Sequence, residues 1–295
     1  MEMPRLMTAM VTPFDRDMKV DHARARELAA HLVSTGSEGI VVCGTTGESP
    51  VLSPAEKVAL FATVKEAVGG SAQVWAGTGS YATAETVELT REATAVGVDG
   101  VMAVVPYYNK PSQQGLYEHY RAVAAATPLP VMMYNIPGRT GVNMLPETVQ
   151  ALAAIDNIVA LKEACGVMDQ VSQLRVLLPA EFAIYSGDDS LTLPMMAIGA
   201  RGVVSIASHI AGPRIRSMIE AFVRGDTAEA EALHRGLFPL FRGLFITTNP
   251  IPLKAALAML GMDVGGLRLP LTEATAAEKE RIRAMLVQQG YLPQE

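Results

Sequence analysis

The chain has 295 residues and a formal net charge of −6 at neutral pH, and its basic residues never gather into a run. Nucleic acid and anionic membrane surfaces are therefore excluded as expected partners. Hydrophobic residues make up 49% and charged residues 18% of the chain, fewer charges than the ~25% usual in soluble domains, so part of the surface is expected to be covered by further copies of the chain.

In chain order, short apolar, β-branched runs fall at about 6–8, 40–43, 74–76, 100–105, 131–134, 158–161, 182–185 and 202–206. Between them, apolar residues recur three or four apart, as at Leu28 and Leu32 or Val58, Phe61 and Val64, the spacing of helices packed by one face. Boundary chemistry supports this: in Ser53-Pro54-Ala55-Glu56 the serine can cap, the proline suits the first helical turn and the glutamate completes a capping box. Eight strand–helix units in unbroken alternation predict a (β/α)8 TIM barrel over residues 1–224, with an open doubly wound sheet as the rival. From 225 to 295 strand runs stop, and three helical patterns near 226–246, 251–260 and 274–290 predict a C-terminal extension packed on the barrel. Two cysteines, Cys43 and Cys165, cannot make a disulfide framework, and no secretory leader or membrane-length apolar run is visible, so a cytoplasmic location is expected.

A barrel of this kind carries its active site at the C-terminal ends of its strands. Of the seven lysines, Lys162 alone continues directly from a buried-looking strand run. Among apolar walls an ammonium loses its proton more readily, and the free amine can attack a carbonyl as a Schiff-base lysine. The alternative is a structural lysine paired with Glu163, less natural because strand neighbours face opposite ways. Gly44-Thr45-Thr46-Gly47 can turn N–H groups toward a carboxylate, or be an ordinary turn. Tyr134, Tyr107 and Tyr108 end strands as candidate proton shuttles or rim tyrosines. Arg139, in a loop with Pro137, Gly138 and Gly141, suits a substrate carboxylate or a surface salt bridge.

Other motifs lead nowhere. Gly77-Thr78-Gly79-Ser80-Tyr81-Ala82 imitates a dinucleotide fingerprint, but the acid about 20 residues on, Asp99, begins the next strand at the wrong end of the sheet. Asp188-Asp189 reads as a helix N-cap, since the five histidines are scattered and no metal spacing exists. No metal or dissociable cofactor is expected.

Gly-Thr-Thr-Gly-Glu-Ser at 44–49, Tyr-Tyr-Asn-Lys-Pro at 107–111, Tyr-Asn-Ile-Pro-Gly-Arg-Thr-Gly at 134–141 and Lys-Glu-Ala at 162–164, in this order, closely resemble the dihydrodipicolinate synthase / N-acetylneuraminate lyase family. The match spans about 5–290 and includes Ser-Gly-Asp-Asp at 186–189, Asn-Pro-Ile-Pro-Leu-Lys at 249–254 and Leu-Arg-Leu-Pro-Leu at 267–271. The resemblance implies a class I aldolase-like lyase in which Lys162 forms an imine with pyruvate and the Thr45 and Thr46 N–H groups hold its carboxylate. It implies that Tyr134 is the general acid/base, linked through the Thr45 hydroxyl to Tyr108, which completes a neighbouring subunit's site. Gly187 and Val204 match positions whose carbonyls line the family's pocket, and a homotetramer, a dimer of dimers, is implied. Arg139 resembles the residue that binds the aldehyde's carboxylate in the synthases. It favours condensation with L-aspartate 4-semialdehyde in lysine and diaminopimelate biosynthesis over the sugar-acid lyases and dehydratases that usually lack it. A non-catalytic sensor on the same barrel is the remaining alternative.

Two departures stand out. Cys165 replaces a common Thr or Ser after Lys-Glu-Ala. Around the family's lysine pocket Ser49, Glu85 and Tyr107 match, but Pro54, Lys57 and Tyr81 replace polar side chains. Lys57 would set a positive charge where a cationic amino acid must bind, so weak or absent feedback inhibition is expected.

Overall fold

The computed structural model describes residues 3–294. Eight parallel strands, β1 (Leu6–Ala9), β2 (Gly39–Val42), β3 (Gln73–Gly77), β4 (Gly100–Val104), β5 (Val131–Asn135), β6 (Ile158–Glu163), β7 (Ala183–Ser186) and β8 (Gly202–Ser205), close in sequence order, with β8 pairing back onto β1. The closed barrel agrees with the sequence expectation and disposes of the open sheet.

Helices α1 (His22–Ser34), α2 (Pro54–Val68), α3 (Thr83–Val96), α4 (Gln113–Ala125), α5 (Pro137–Thr140), α6 (Pro146–Leu152), α7 (Met168–Leu177), α8 (Thr192–Ala197) and α9 (Ser208–Val223) follow the strands around the outside. Their starts are chemically marked. Ser53 and Glu56 form the expected capping box of α2, and Asp21 caps α1 through the Arg24 N–H. The core is built where strand and helix faces meet, around fully buried side chains such as Trp75, Phe61, Tyr120 and Leu60.

Three strand ends differ from the apolar runs in a way that matters for the site. β5 continues to Asn135 and β6 to Glu163, so Lys162 is a strand residue instead of the first loop residue and Tyr134 is no longer the last of its strand. The polar ends are accommodated because Asn135 Nδ2 donates to both Glu163 oxygens, at 3.0 and 3.1 Å. β2 stops at Val42, leaving Cys43 outside it with a left-handed φ of 57°.

The extension consists of α10 (Thr227–Gly243), α11 (Ile251–Met259) and α12 (Ala276–Gln288). It buries Leu237, Phe241, Leu253, Leu257, Ile282 and Leu286, and the loop after α11 returns to the barrel, where Arg268 meets Glu56 at the start of α2. No helix among the described residues is long and apolar enough to cross a membrane.

Candidate active site

The parallel register of β5 and β6 pairs Tyr134 with Lys162 and Asn135 with Glu163. Successive strand residues alternate faces, so the first pair shares one side and the second pair the other. On the outer side Glu163 accepts from Asn135, from Gln170 Nε2 at 3.1 Å and from the Cys165 N–H at 2.7 Å. Burial raises the pKa of this carboxyl, and its hydrogen bonds oppose that rise. Glu163 therefore does not pair with Lys162. Alternation, not distance in sequence, separates them.

On the inner side Lys162 is 5% exposed, and its Nζ lies 4.1 Å from the centre of the Tyr134 ring. Three other lysines have carboxylate partners: Lys65 with Asp99, Lys254 with Glu48, Lys279 with Glu273. Lys162 has no such pair among the described residues. Burial lowers its pKa from 10.5 to about 7; the Asp189 carboxylate opposes the drop and the Arg139 guanidinium adds to it. An unperturbed lysine is a free amine at neutral pH in roughly one molecule in three thousand. Here burial brings the free amine, the nucleophile, into reach near neutral pH.

Asp189 belongs to this electrostatic set and was read from sequence only as a cap. Its neighbour Asp188 takes that role, accepting from Ser190 N–H at 2.8 Å. Asp189 is buried and accepts from the Ser205 hydroxyl, from Ile206 N–H at 3.0 Å and from Ala207 N–H at 3.1 Å. Its pKa is raised by burial against these donors.

Tyr134 is 3% exposed, and burial pushes its phenol up to about 12, with Arg139 and the facing Thr45 side chain pulling it back. A phenol with that pKa holds its proton at neutral pH and can donate it to a developing alkoxide. Thr45, Tyr134 and Arg139 line one cavity of about 200 Å3 with Tyr107 and Thr140. Neither the Thr45 nor the Thr46 N–H donates to a backbone carbonyl among the described residues, which leaves both available to an anion. The Thr46 hydroxyl is occupied by Asn249 Nδ2 at 2.9 Å.

Arg139, in the short helix α5, is exposed and spans from this cavity to the extension, where its Nη2 donates to the Asn249 carbonyl at 3.3 Å. Gly187 abuts the lysine: a Cβ there would lie 3.1 Å from Lys162 Cε and 2.7 Å from Ala164 Cβ, so glycine lets the amine's stem pass. Val204 is buried in β8 and is not part of the cavity wall. Lys162, Thr46 and Gly187 are likewise not among the residues that line it, and Tyr108 stands apart from all of these on the surface. Its ring is 90% exposed and its backbone has a φ of 73°, so it does not pack against Thr45 of the same chain.

The rejected dinucleotide fingerprint has a steric explanation. A Cβ on Gly77 would lie 2.4 Å from the Cys43 carbonyl oxygen, and one on Gly79 2.4 Å from Val104 N; the glycines allow neighbouring loops to close. Asp99 stands at the start of β4, accepting from Val74 N–H at 2.8 Å and pairing with Lys65, as far from the strand ends as the sequence implied. What sequence reasoning left without a role is the set Glu48, Asn249, Lys254 and Arg268. The motifs at 249–254 and 267–271 were visible, but not that they meet the turn after β2.

A model of the dihydrodipicolinate synthetase family matches residues 2–289. The 4-hydroxy-tetrahydrodipicolinate synthase of Desulforudis audaxviator is 61% identical over 282 residues, covering 96% of both chains. That of Desulforamulus reducens is 59% identical over 283 residues, again 96% of both. Among solved structures, a DHDPS from Cyanidioschyzon merolae with lysine bound is similar with a TM-score of 0.96 and 50% identity, covering 98% of each chain. The chain belongs to the dihydrodipicolinate synthetase family.

Proposed function

We propose that this chain condenses pyruvate with L-aspartate 4-semialdehyde to give 4-hydroxy-tetrahydrodipicolinate, through an imine on Lys162 and without a dissociable cofactor. The observation that carries the reading is the unpaired, desolvated Lys162 amine against the face of the Tyr134 ring, Tyr134 itself lining one cavity with Arg139. Relatives at 61% and 59% identity named for this activity support it.

The free amine attacks the keto carbon of pyruvate, and the carbinolamine loses water with a proton supplied by Tyr134. The Thr45 and Thr46 N–H groups hold the carboxylate meanwhile, so the iminium forms in one orientation. The Tyr134 phenolate then takes a proton from the methyl group, which gives the enamine and restores the phenol. Its terminal carbon attacks the aldehyde carbon, a C–C bond forms, and the aldehyde oxygen takes a proton from Tyr134. The substrate's own amino group then adds to the imine carbon and Lys162 leaves, closing the ring and restoring the free lysine. Arg139 receives the semialdehyde's carboxylate with its planar fork.

In this reading residues 1–224 carry the chemistry and 225–295 form a buttressing extension. The exposed Tyr108 reaches the Thr45 hydroxyl of a second copy, completing a proton path across a dimer, and two dimers form the homotetramer. The Gly187 and Val204 carbonyls meet pyruvate at the Lys162 end, beyond the cavity that Tyr134 and Arg139 line. The enzyme works in the cytoplasm. Initial rates with pyruvate and L-aspartate 4-semialdehyde, coupled to a reductase that consumes the product, test the assignment beside cleavage of N-acetylneuraminate and 2-keto-3-deoxygluconate. Preference for the semialdehyde supports it; cleavage of a sugar acid with no semialdehyde activity replaces it by the lyase alternative.

A further inference from the structure

The turn after β2, which presents Thr45 and Thr46, is held from outside by the C-terminal extension. At one end Asn249 Nδ2 donates to Thr46 Oγ1 at 2.9 Å. At the other, Lys254 of α11 pairs with Glu48 Oε1 at 2.7 Å, with side chains 3% and 0% exposed. The Lys254 ammonium also donates to the Gly266 carbonyl at 2.7 Å and sits 4.4 Å from the centre of the Phe14 ring.

The second Glu48 oxygen accepts the Arg268 backbone N–H at 3.0 Å. The Arg268 guanidinium is itself fixed by Glu56, at 3.0 and 2.6 Å, and by the Met18 and Val51 carbonyls at 2.9 Å. From the barrel side, the Thr12 hydroxyl donates to the Gly47 carbonyl at 2.6 Å.

The turn needs such a clamp, because Cys43 and Glu48, at its two ends, both have left-handed backbones, φ 57° and 55°, a region ordinary side chains seldom occupy. A buried ion pair adds little net stability, since both charges must leave water. Its effect here is geometric.

We infer that Glu48 and Lys254 are positioning residues for the keto acid: through the Glu48 carboxylate, the C-terminal extension sets the direction of the Thr45 and Thr46 N–H groups that receive the pyruvate carboxylate. This rests on the function proposed above. It gives the extension a role in substrate binding and predicts that the clamp governs how much pyruvate is needed, not how fast the bound complex reacts.

The test compares the full-length wild type with Lys254→Met and with the doubly neutral Glu48→Gln/Lys254→Met, which leaves no buried charge unpaired. Each is titrated with pyruvate in the presence of borohydride, and the half-saturating concentration, the plateau trapping rate and the melting temperature are read. The double variant is expected to melt near the wild type and to need roughly tenfold more pyruvate, the factor that accompanies partial loss of one charge-assisted hydrogen bond. Its plateau rate should stay within about threefold, since the residues that react are untouched. Wild-type pyruvate dependence in the folded double variant overturns the inference, and so does a fallen plateau at unchanged half-saturation. If the double variant does not fold, Asn249→Ala, which frees the Thr46 hydroxyl, is expected to show the same rise, and an unchanged half-saturation overturns the inference. A wild type that pyruvate does not label overturns this and the proposed function together; a labelled wild type with unaltered variants overturns this alone.

Discussion

Lys162 Nζ lies on the face of the Tyr134 ring, 4.1 Å from its centre, because β5 and β6 place these residues opposite each other one step before the Asn135–Glu163 hydrogen bonds. The polar pair on the outer face fixes the register, and the register brings amine and phenol together on the inner one. Chemistry and architecture share two adjacent residue pairs, Tyr134–Asn135 and Lys162–Glu163.

A buried amine with a depressed pKa is a stability cost. Below its folded pKa of about 7 the charged form is penalised in full in the native state, and the penalty fades as pH rises through the unfolded value of 10.5. Lys162→Met should therefore abolish turnover yet raise stability at pH 6 by on the order of a few kcal/mol, a gain that vanishes by about pH 10. Denaturant melts at both pH values check this; a variant less stable than wild type at pH 6 contradicts it.

Asp189 is the group that holds the Lys162 pKa up against burial. Removing its charge in Asp189→Asn should lower that pKa and move the acid limb of imine formation to lower pH, because the amine then stays free further into acid. The substitution is tolerable because the Ser205 hydroxyl, now a donor to Asp189, can accept from an amide instead. Rates of borohydride trapping with pyruvate from pH 5 to 8 are the measurement. An acid limb moved to higher pH would reverse the assigned sign.

Tyr134→Phe keeps the ring on which Lys162 rests and removes the proton. Turnover should fall by ~10²–10⁴-fold with the fold retained, the usual contribution of a general acid/base. Wild-type steady-state rates would remove Tyr134 from the mechanism.

Arg139 is exposed at the cavity mouth and bonded to the Asn249 carbonyl, so it can turn toward an incoming carboxylate. Arg139→Ala should raise the KM for the semialdehyde by about 10–100-fold, as loss of a charge-assisted, bidentate contact does, while pyruvate trapping continues. Loss of trapping instead would assign Arg139 to the first substrate.

Lys57 is partly buried, and burial lowers its pKa, with Cys43 and Glu85 opposing the drop. Glu85 is engaged by the Ser80 hydroxyl at 2.6 Å, and the Tyr81 and Tyr107 rings meet edge to face at 5.5 Å. A second cation there would face a like charge. Half-inhibition by L-lysine should need more than about 1 mM, that is, weak binding; a dose–response curve with a midpoint below that refutes the expectation.

The barrel was legible because each strand is a short apolar run and each helix begins with a local cap, signals carried by residues a few positions apart. Lys162 and the 44–47 turn were legible for the same reason, as irregularities at strand ends. The clamp was not: Arg268 meets Glu48 across 220 positions, and nothing local in either segment announces a partner. Asp189 was misread because two adjacent aspartates look alike in sequence, whereas the chain buries one and caps with the other. Tyr108 is 90% exposed, so the role that the family resemblance implies for it is not visible within its own chain.

The central claim is that Lys162 carries pyruvate, and the most direct measurement is peptide mapping by mass spectrometry after borohydride reduction in the presence of pyruvate alone. The account predicts one reduced pyruvyl adduct, on the peptide containing Lys162, and none in Lys162→Met. An adduct on another of the seven lysines, or no adduct at all, would contradict it.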